Sequence, residues 1–134
     1  MADSPRILLV DDEPDLVHLV SARLQAAGYQ VTTAADGQQA LDLVRQEKPD
    51  LIILDLMLPK VNGYKVCRLL KFDDRYRKIP ILIFTARAQE EDIRLATDCG
   101  AEAYLTKPFE AQVLLAKLSD LLAATKPGRQ EVVG

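Results

Sequence analysis

The sequence predicts an α/β protein, a doubly wound (βα)5 sandwich in which a five-stranded parallel sheet carries helices on both faces. Five short apolar runs alternate along the chain with longer amphipathic stretches, and βα units require that order. Several of the apolar runs are continuous rather than alternating with polar residues. Continuous runs are expected of strands that are buried on both faces of a parallel sheet.

The predicted strands are short and rich in aliphatic residues, and they cover Ile7–Val10, Val31–Ala34, Leu51–Leu54, Ile79–Phe84 and Ala103–Leu105. Because helices separate them, consecutive strands are expected to run parallel. In open parallel sheets the functional site lies outside the carboxyl ends of the strands. The residues that follow each strand are therefore the first place to look for chemistry.

Each intervening segment carries apolar residues at helical spacing. Helices are predicted over about Glu13–Ala27, Asp36–Lys48, Gly63–Phe72, Gln89–Cys99 and Glu110–Ala124. Proline near a helix start and glycine just after a helix end support several of these boundaries. Leu19, Leu69 and Val113 recur with their apolar neighbours at a helical period in three of these segments.

Length and charge limit the functions open to the chain. Its 134 residues fit one domain, which we assign to residues 1–125, with residues 126–134 as a C-terminal tail or linker remnant. The net charge of −3 provides no basic surface, so nucleic-acid binding by this chain alone is not expected. No apolar run approaches the roughly 20 residues of a membrane span, and the acidic start does not fit a signal peptide. A cytoplasmic location without membrane contact is expected.

Side chains that can bind a cation or a phosphoryl oxygen follow four of the predicted strands. They are Asp11-Asp12-Glu13 after the first strand, Asp55 after the third, Thr85 after the fourth and Thr106-Lys107-Pro108 after the fifth. Carboxylates gathered at one rim repel each other and raise their own pKa values, a cost that a hard cation such as Mg²⁺ relieves. Lys107 and Thr85 add a positive charge and a hydroxyl donor, which phosphoryl transfer requires.

Four segments, ILLVDDE, IILDLMLPKVNG, ILIFTA and AYLTKPF, occur in this order. Together they make the chain similar, over about Arg6–Leu122, to the receiver domain of bacterial two-component response regulators. The chemotaxis response regulator is the best-known one-domain member. The resemblance implies a flavodoxin-like fold and a phosphoacceptor switch in phosphorelay signalling. It also implies that Asp55 accepts a phosphoryl group from a histidine kinase or a histidine phosphotransfer protein and becomes aspartyl-phosphate.

The resemblance implies further roles at the same rim. Asp12 would bind Mg²⁺ directly, Asp11 mainly through water, and Asp55 and the backbone carbonyl of Met57 would complete the protein ligands. The remaining positions would act on the phosphoryl group or on the switch: Thr85 and Lys107 would each contact a phosphoryl oxygen, Tyr104 would turn inward on activation, and Pro108 would follow a cis peptide bond.

The output face implied by the resemblance comprises the helix at about Gln89–Cys99, the fifth strand and the last helix. That face would contact a downstream target protein and could support a phosphorylation-dependent homodimer. The resemblance implies a signalling protein rather than an enzyme, assisting only its own phosphorylation and dephosphorylation.

Two other functions are weighed against this one. A magnesium-dependent phosphohydrolase also forms an aspartyl-phosphate, but it generally carries a second carboxylate two residues after the nucleophile. Here that position is Met57, which cannot act as an acid or a base. A receiver that only binds partners without being phosphorylated would have lost Asp55, Lys107 or an acidic residue at the rim, and the sequence retains them all.

Overall fold

A computed structural model of the chain describes residues 4–58, 62–86, 93–94 and 97–124. Its strands are β1 to β5, which cover Arg6–Val10, Gln30–Ala34, Leu51–Leu54, Ile81–Thr85 and Ala103–Thr106. They form one sheet in the order β2-β1-β3-β4-β5, and every neighbouring pair is parallel. The predicted five-stranded parallel sheet is therefore confirmed.

The described helices are α1 to α4, which cover Pro14–Ala26, Gly37–Glu47, Gly63–Lys71 and Ala111–Ala124. Two of them begin with side-chain caps: Asp36 accepts a hydrogen bond of 2.8 Å from the backbone N–H of Gln39, and Asn62 accepts one of 2.9 Å from Lys65. Such caps satisfy amide groups that have no partner within the helix. Most of the helix predicted at about Gln89–Cys99 lies outside the described residues, as do residues 126–134.

The hydrophobic core has two parts, one on each face of the sheet. Successive side chains of a strand point to opposite faces. Accordingly Leu8 and Ile52 pack with residues of α2 and α3, whereas Leu9 and Ile53 pack with residues of α1 and α4. All four residues of β3 are buried, which accounts for its continuously apolar sequence. Helices thus cover both faces, as the sequence predicts.

Three residues that fit the helical apolar period are nevertheless exposed: Leu19 has 55% of its surface exposed, Leu69 48% and Val113 40%. Helical spacing alone therefore does not place an apolar residue in the core, because the part of a helix that faces the core has a limited width. The residues that do reach the core from the same helices include Val20, Leu70 and Leu114.

The start of β4 also differs from the prediction. The strand begins at Ile81 rather than Ile79. The backbone N–H of Ile79 donates to the carbonyl of Tyr76 in a turn at 3.0 Å, and the carbonyl of Ile79 accepts from the ammonium of Lys71 at 2.8 Å. Since both backbone groups of Ile79 are engaged elsewhere, the residue cannot join the ladder.

No helix within the described ranges is long and apolar enough to cross a lipid bilayer.

Candidate functional site

The carboxyl ends of β1, β3, β4 and β5 form one rim, and the backbone ladder continues one residue past three of these strands. The N–H of Asp11 donates to Ala34, and the N–H of Asp55 donates to Val10, both at 3.0 Å. The N–H of Lys107 donates to the carbonyl of Thr85 at 2.8 Å. These bonds fix the first residue after each strand, so the side chains of Asp11, Asp55 and Lys107 start from rigid backbone.

Three carboxylates meet at this rim. Asp11, Asp12 and Asp55 each offer one oxygen that lies within 4.8 Å of the others. Asp11 and Asp55 are buried, with 2% and 4% of their surfaces exposed, whereas Asp12 is exposed. Oxygen donors of this kind suit a hard cation, and Mg²⁺ commonly takes one or two carboxylates while keeping several waters. The donor set therefore fits the metal that the sequence predicts.

One oxygen of each buried carboxylate is held by the backbone. Oδ1 of Asp11 accepts from the N–H of Glu13 at 2.9 Å, and Oδ1 of Asp55 accepts from the N–H of Met57 at 3.0 Å. Both bonds span two residues, a turn that aspartate makes readily. They leave Oδ2 of each carboxylate directed toward a shared partner.

That partner is the ammonium of Lys107. It donates to Oδ2 of Asp11 at 2.7 Å, to Oε1 of Glu13 at 3.0 Å and to Oδ2 of Asp55 at 3.2 Å. The same nitrogen lies 4.8 Å from the ring centre of Phe84, a favourable position for a cation over an aromatic face. Three donors on one nitrogen are thus matched to three carboxylates.

Burial and charge act in opposite directions on the pKa of Lys107. Burial alone would lower it, but the hydrogen bonds to Asp11 and Glu13 and the charge of Asp55 outweigh that effect. The pKa of Lys107 therefore lies above its ordinary value. Lys107 therefore remains a cation throughout the physiological pH range and keeps a positive charge beside Asp55.

Burial and charge also act in opposite directions on the pKa of Asp55, but here the effect of burial is the larger one. Burial raises the pKa of the Asp55 carboxyl above its ordinary value, and the charge of Asp11 adds to that rise. The hydrogen bond from Met57 and the charge of Lys107 lower the pKa but do not offset the burial. The carboxylate is thus destabilised relative to one in water, and it gains from any further positive charge placed beside it.

Gly63 packs against the backbone of Asp55. A methyl group at Gly63 would lie 2.0 Å from the carbonyl oxygen of Asp55 and 2.7 Å from the Cα of Leu56. The N–H of Gly63 also donates to the carbonyl of Leu56 at 3.1 Å. The start of α3 is therefore packed directly against the turn after β3, and only glycine fits at position 63.

Thr85 and Tyr104 occupy the neighbouring strands. Thr85 is the last residue of β4 and is buried, with 2% of its surface exposed. Tyr104 lies in β5 opposite Ile83; it is half-buried and packs against the core on the side of α2 and α3. The peptide bond between Lys107 and Pro108 is cis, in agreement with the resemblance.

The hydrogen bond between Glu13 and Lys107 is not among the predicted contacts of the rim. Acidic residues favour helix starts, and Glu13 is the first residue of the first predicted helix. The structure places it at the N-cap of α1, but its side chain makes no capping bond and instead accepts from Lys107. No local signal could have revealed this contact, because the two residues are 94 positions apart.

A groove of about 490 Å³ adjoins the site between α1 and α4. It is lined mainly by apolar side chains, among them Leu16, Leu19 and Phe109, and Glu13 and Lys107 stand at its border with the carboxylates. The groove offers an approach to the rim from solvent.

Comparison with known proteins decides the family. The model of the response regulator receiver domain matches residues 7–119. The chain belongs to the response regulator receiver domain family. Receiver domains are phosphoacceptor switches of two-component signalling, and the assignment favours this function over a phosphohydrolase.

Relatives of this receiver domain include a longer curated protein and solved structures. The DNA-binding dual master transcriptional regulator RpaA of Synechocystis is 49% identical over 121 residues, which cover 90% of this chain and 50% of RpaA. The chain spans about half the length of the curated relatives it matches. The chemotaxis response regulator CheY4 of Vibrio cholerae has a TM-score of 0.82 and 34% identity, covering 88% of this chain and 98% of CheY4.

A second solved receiver domain bears on the metal. The receiver domain of the sensor histidine kinase PA1611 from Pseudomonas aeruginosa has a TM-score of 0.84 and 33% identity, covering 90% of this chain and 98% of that one. Its structure holds a magnesium ion coordinated in the active site cleft.

Proposed function

We propose that this receiver domain accepts a phosphoryl group on Asp55 from a histidine kinase or a histidine phosphotransfer protein. The observation that carries the proposal is the position of Asp55 among its neighbours. Its carboxylate is buried at the rim, within 3.2 Å of the ammonium of Lys107 and within 4.8 Å of two further carboxylates. A purely structural aspartate would be better stabilised at an exposed strand end.

In the proposed transfer, an oxygen of the Asp55 carboxylate forms a bond to phosphorus as the bond between phosphorus and the donor imidazole nitrogen breaks. The donor histidine leaves as neutral imidazole after taking up a proton from solvent. Because Oδ1 is held by the N–H of Met57, we assign the attacking role to Oδ2. The backbone bond would keep the carboxylate from rotating during the attack, which is a gain in orientation.

Lys107 and Thr85 would act on the transferred group. As Asp55 loses its negative charge to the new bond, the ammonium of Lys107 is released from that carboxylate and can pair with a phosphoryl oxygen. The hydroxyl of Thr85, at the end of the adjacent strand, would donate to a second phosphoryl oxygen. Both groups stand on rigid backbone, so little reorganisation is needed when negative charge develops.

The metal ligands proposed here are Asp12, Asp55 and the backbone carbonyl of Met57, with Asp11 contributing through water. When bound, Mg²⁺ supplies positive charge that offsets the repulsion between the carboxylates and the incoming phosphoryl group. The exposure of Asp12 supports its role, because an exposed carboxylate can reach an ion and its waters. The division between Asp11 and Asp55 follows the resemblance to receiver domains.

The test is a phosphorylation assay with acetyl phosphate, which dispenses with a kinase. Intact-mass spectrometry should detect one added phosphoryl group on the unmodified protein in the presence of Mg²⁺. The Asp55→Asn variant, and the unmodified protein in excess chelator, should show none. Asp74→Asn, which changes an exposed aspartate, serves as the matched control and should be phosphorylated normally. A normal yield from Asp55→Asn would refute the proposal.

The output of the switch is proposed to run through β5, α4 and the helix at about Gln89–Cys99, with Tyr104 turning inward. Two observations support this: β5 is an edge strand, and all four of its residues are only half-buried. The same face could support a phosphorylation-dependent homodimer. Sedimentation velocity with and without acetyl phosphate tests the dimer, and an unchanged monomer in both states would exclude it.

A further inference from the structure

The outward side of α3 carries an exposed apolar surface. Lys65, Arg68, Leu69 and Phe72 follow one another at helical spacing, and with Tyr64 they form what we call the α3 outer face. Phe72 has 73% of its surface exposed, the largest value among the exposed large apolar residues described, and Leu69 has 48%. Side chains of this size are stabilised when a partner buries them away from water.

Contacts within the chain hold this surface in place. The guanidinium of Arg68 lies 5.8 Å from the ring centre of Tyr64 and 5.1 Å from that of Phe72. Arg68 also donates a long hydrogen bond of 3.4 Å to the hydroxyl of Tyr64. The two rings and the guanidinium between them therefore form a pre-ordered row. Binding to such a row costs less side-chain entropy than binding to side chains that become ordered only in the complex.

The charge of the surface is positive. Within the described ranges neither Lys65 nor Arg68 makes an ion pair. The two acidic residues at the border are each paired to a basic neighbour: Asp73 with Arg75 at 2.8 Å, and Asp74 with Arg77 at 3.7 Å. Two uncompensated cations thus flank the exposed apolar side chains. An open hollow of about 840 Å³ lies over these residues and gives the surface a concave part.

We propose that the α3 outer face binds a partner protein through an acidic amphipathic segment. Its apolar side chains would pack on Leu69 and Phe72, and its carboxylates would pair with Lys65 and Arg68. An amphipathic helix laid into an apolar hollow is a common recognition mode. Aromatic and arginine side chains are also the residue types enriched among those that dominate binding energy at interfaces.

Charge argues against two other occupants. A second copy of the chain related by two-fold symmetry would place Lys65 and Arg68 opposite their own counterparts, because such contacts pair one surface with itself. Nucleic acid needs a basic patch or stripe that follows its phosphate backbone, and the α3 outer face offers only the two cations Lys65 and Arg68. The α3 outer face is distinct from the output face proposed above, and it does not depend on phosphorylation of Asp55.

The experiment uses the whole chain, labelled with ¹⁵N, and three synthetic 14-residue helical peptides. All three carry leucine at positions 1, 4, 5, 8 and 12, and the remaining positions are mostly glutamate in the first, glutamine in the second and lysine in the third. We expect the glutamate peptide to shift amide resonances of residues 62–74. Its dissociation constant should be at least about tenfold lower than that of the lysine peptide, because two ion pairs are replaced by like-charge contacts.

Single substitutions sharpen the result. Phe72→Ser and Leu69→Gln should each weaken binding of the glutamate peptide by about tenfold, a loss typical of an interface anchor. Arg68→Gln should weaken it by about threefold at low salt and less at high salt. Val113→Ser, which changes an exposed apolar residue on α4, is the matched control and should leave the affinity unchanged. Each variant should unfold at nearly the same temperature as the unmodified protein, since all four positions are exposed.

Several results would overturn the proposal. These are the absence of shifts with the glutamate peptide, equal binding of the lysine peptide, shifts centred on the groove between α1 and α4, or unchanged affinity in both Phe72→Ser and Leu69→Gln. A dimer in sedimentation that Phe72→Ser dissolves would assign the surface to self-association instead. A DNA duplex that shifts the same amides more strongly than the glutamate peptide would assign it to nucleic acid.

Discussion

The ammonium of Lys107 lies 3.2 Å from Oδ2 of Asp55, although the two residues are 52 positions apart in the chain. The parallel register of β3, β4 and β5 brings them together, because each residue directly follows its strand. Through its hydrogen bonds to Asp11 and Asp55, the ammonium of Lys107 offsets the cost of burying these two carboxylates. It also places a positive charge where a phosphoryl group on Asp55 would lie.

Replacing Lys107 with methionine should lower the free energy of unfolding by about 3 kcal/mol at neutral pH in the absence of divalent cations, because it leaves the carboxylates of Asp11 and Asp55 buried without a cation. Urea denaturation in a chelating buffer measures the change. Lys65→Met removes an exposed lysine that forms no ion pair with any residue the structure describes, and it should cost less than about 0.5 kcal/mol. Equal losses in the two variants would show that Lys107 does not stabilise the carboxylates.

Gly63→Ala should lower the yield of phosphorylation by acetyl phosphate at least about tenfold and destabilise the fold by roughly 1–3 kcal/mol, the usual cost of an extra methyl group in a packed site. The methyl group would lie 2.0 Å from the carbonyl of Asp55, so the turn that carries Asp55 and Met57 must shift. Mass spectrometry measures the yield, and thermal unfolding measures the stability. A variant with normal values of both would mean that the turn moves at little cost.

Most of the fold could be predicted because the signals that define it are local. Continuous apolar runs mark strands that are buried on both faces, and once the strands are parallel their carboxyl ends must share a rim. Asp11, Asp55 and Lys107 were predicted to meet there, and the hydrogen bonds of Lys107 show that they do. The catalytic and metal-binding roles of these residues remain predictions.

Other features could not be predicted because they depend on what surrounds a helix. Leu19, Leu69 and Val113 fit a helical apolar period, yet all three are exposed. Periodicity defines the direction of a stripe but not how far the neighbouring elements cover its edges. The fit of Gly63 against the carbonyl of Asp55 likewise depends on the path of the chain through the turn, which the residue types alone do not determine.

Asp12→Asn should raise the dissociation constant for Mg²⁺ at least about tenfold, since it removes an anionic ligand from a hard cation. Glu13→Gln should change it less than about threefold, because Glu13 bonds to Lys107 at 3.0 Å and is not a proposed ligand. Titration of each variant with MgCl₂ by NMR gives both constants. Similar losses in both variants would mean that the ligands are assigned wrongly.

Asp55→Asn should make the fold more stable at pH 7.5 without divalent cations. Burial raises the pKa of Asp55 above its ordinary value of 3.8, so between those two pKa values the folded state binds more protons than the unfolded state, and stability falls as the pH rises. Asparagine removes that penalty above the window and has no effect below it.

The measurement is the difference in unfolding temperature between Asp55→Asn and the unmodified protein, taken from pH 4 to pH 8 in a chelating buffer. The gain of the variant should grow as the pH rises through the window and then level off. Asp42→Asn, which changes an exposed aspartate on α2, is the control and should show no such trend. A constant difference at all pH values would contradict the assigned cause.

The most direct test of the account is to locate the phosphoryl group. The protein is treated with acetyl phosphate and Mg²⁺ and then with sodium borohydride, which reduces an acyl phosphate to an alcohol and so converts a phosphorylated aspartate to homoserine. Peptide mapping by mass spectrometry then identifies the converted residue. The account predicts homoserine at position 55 and at no other aspartate. Conversion at Asp11 or Asp12 with Asp55 unchanged, or no conversion at all, would contradict it.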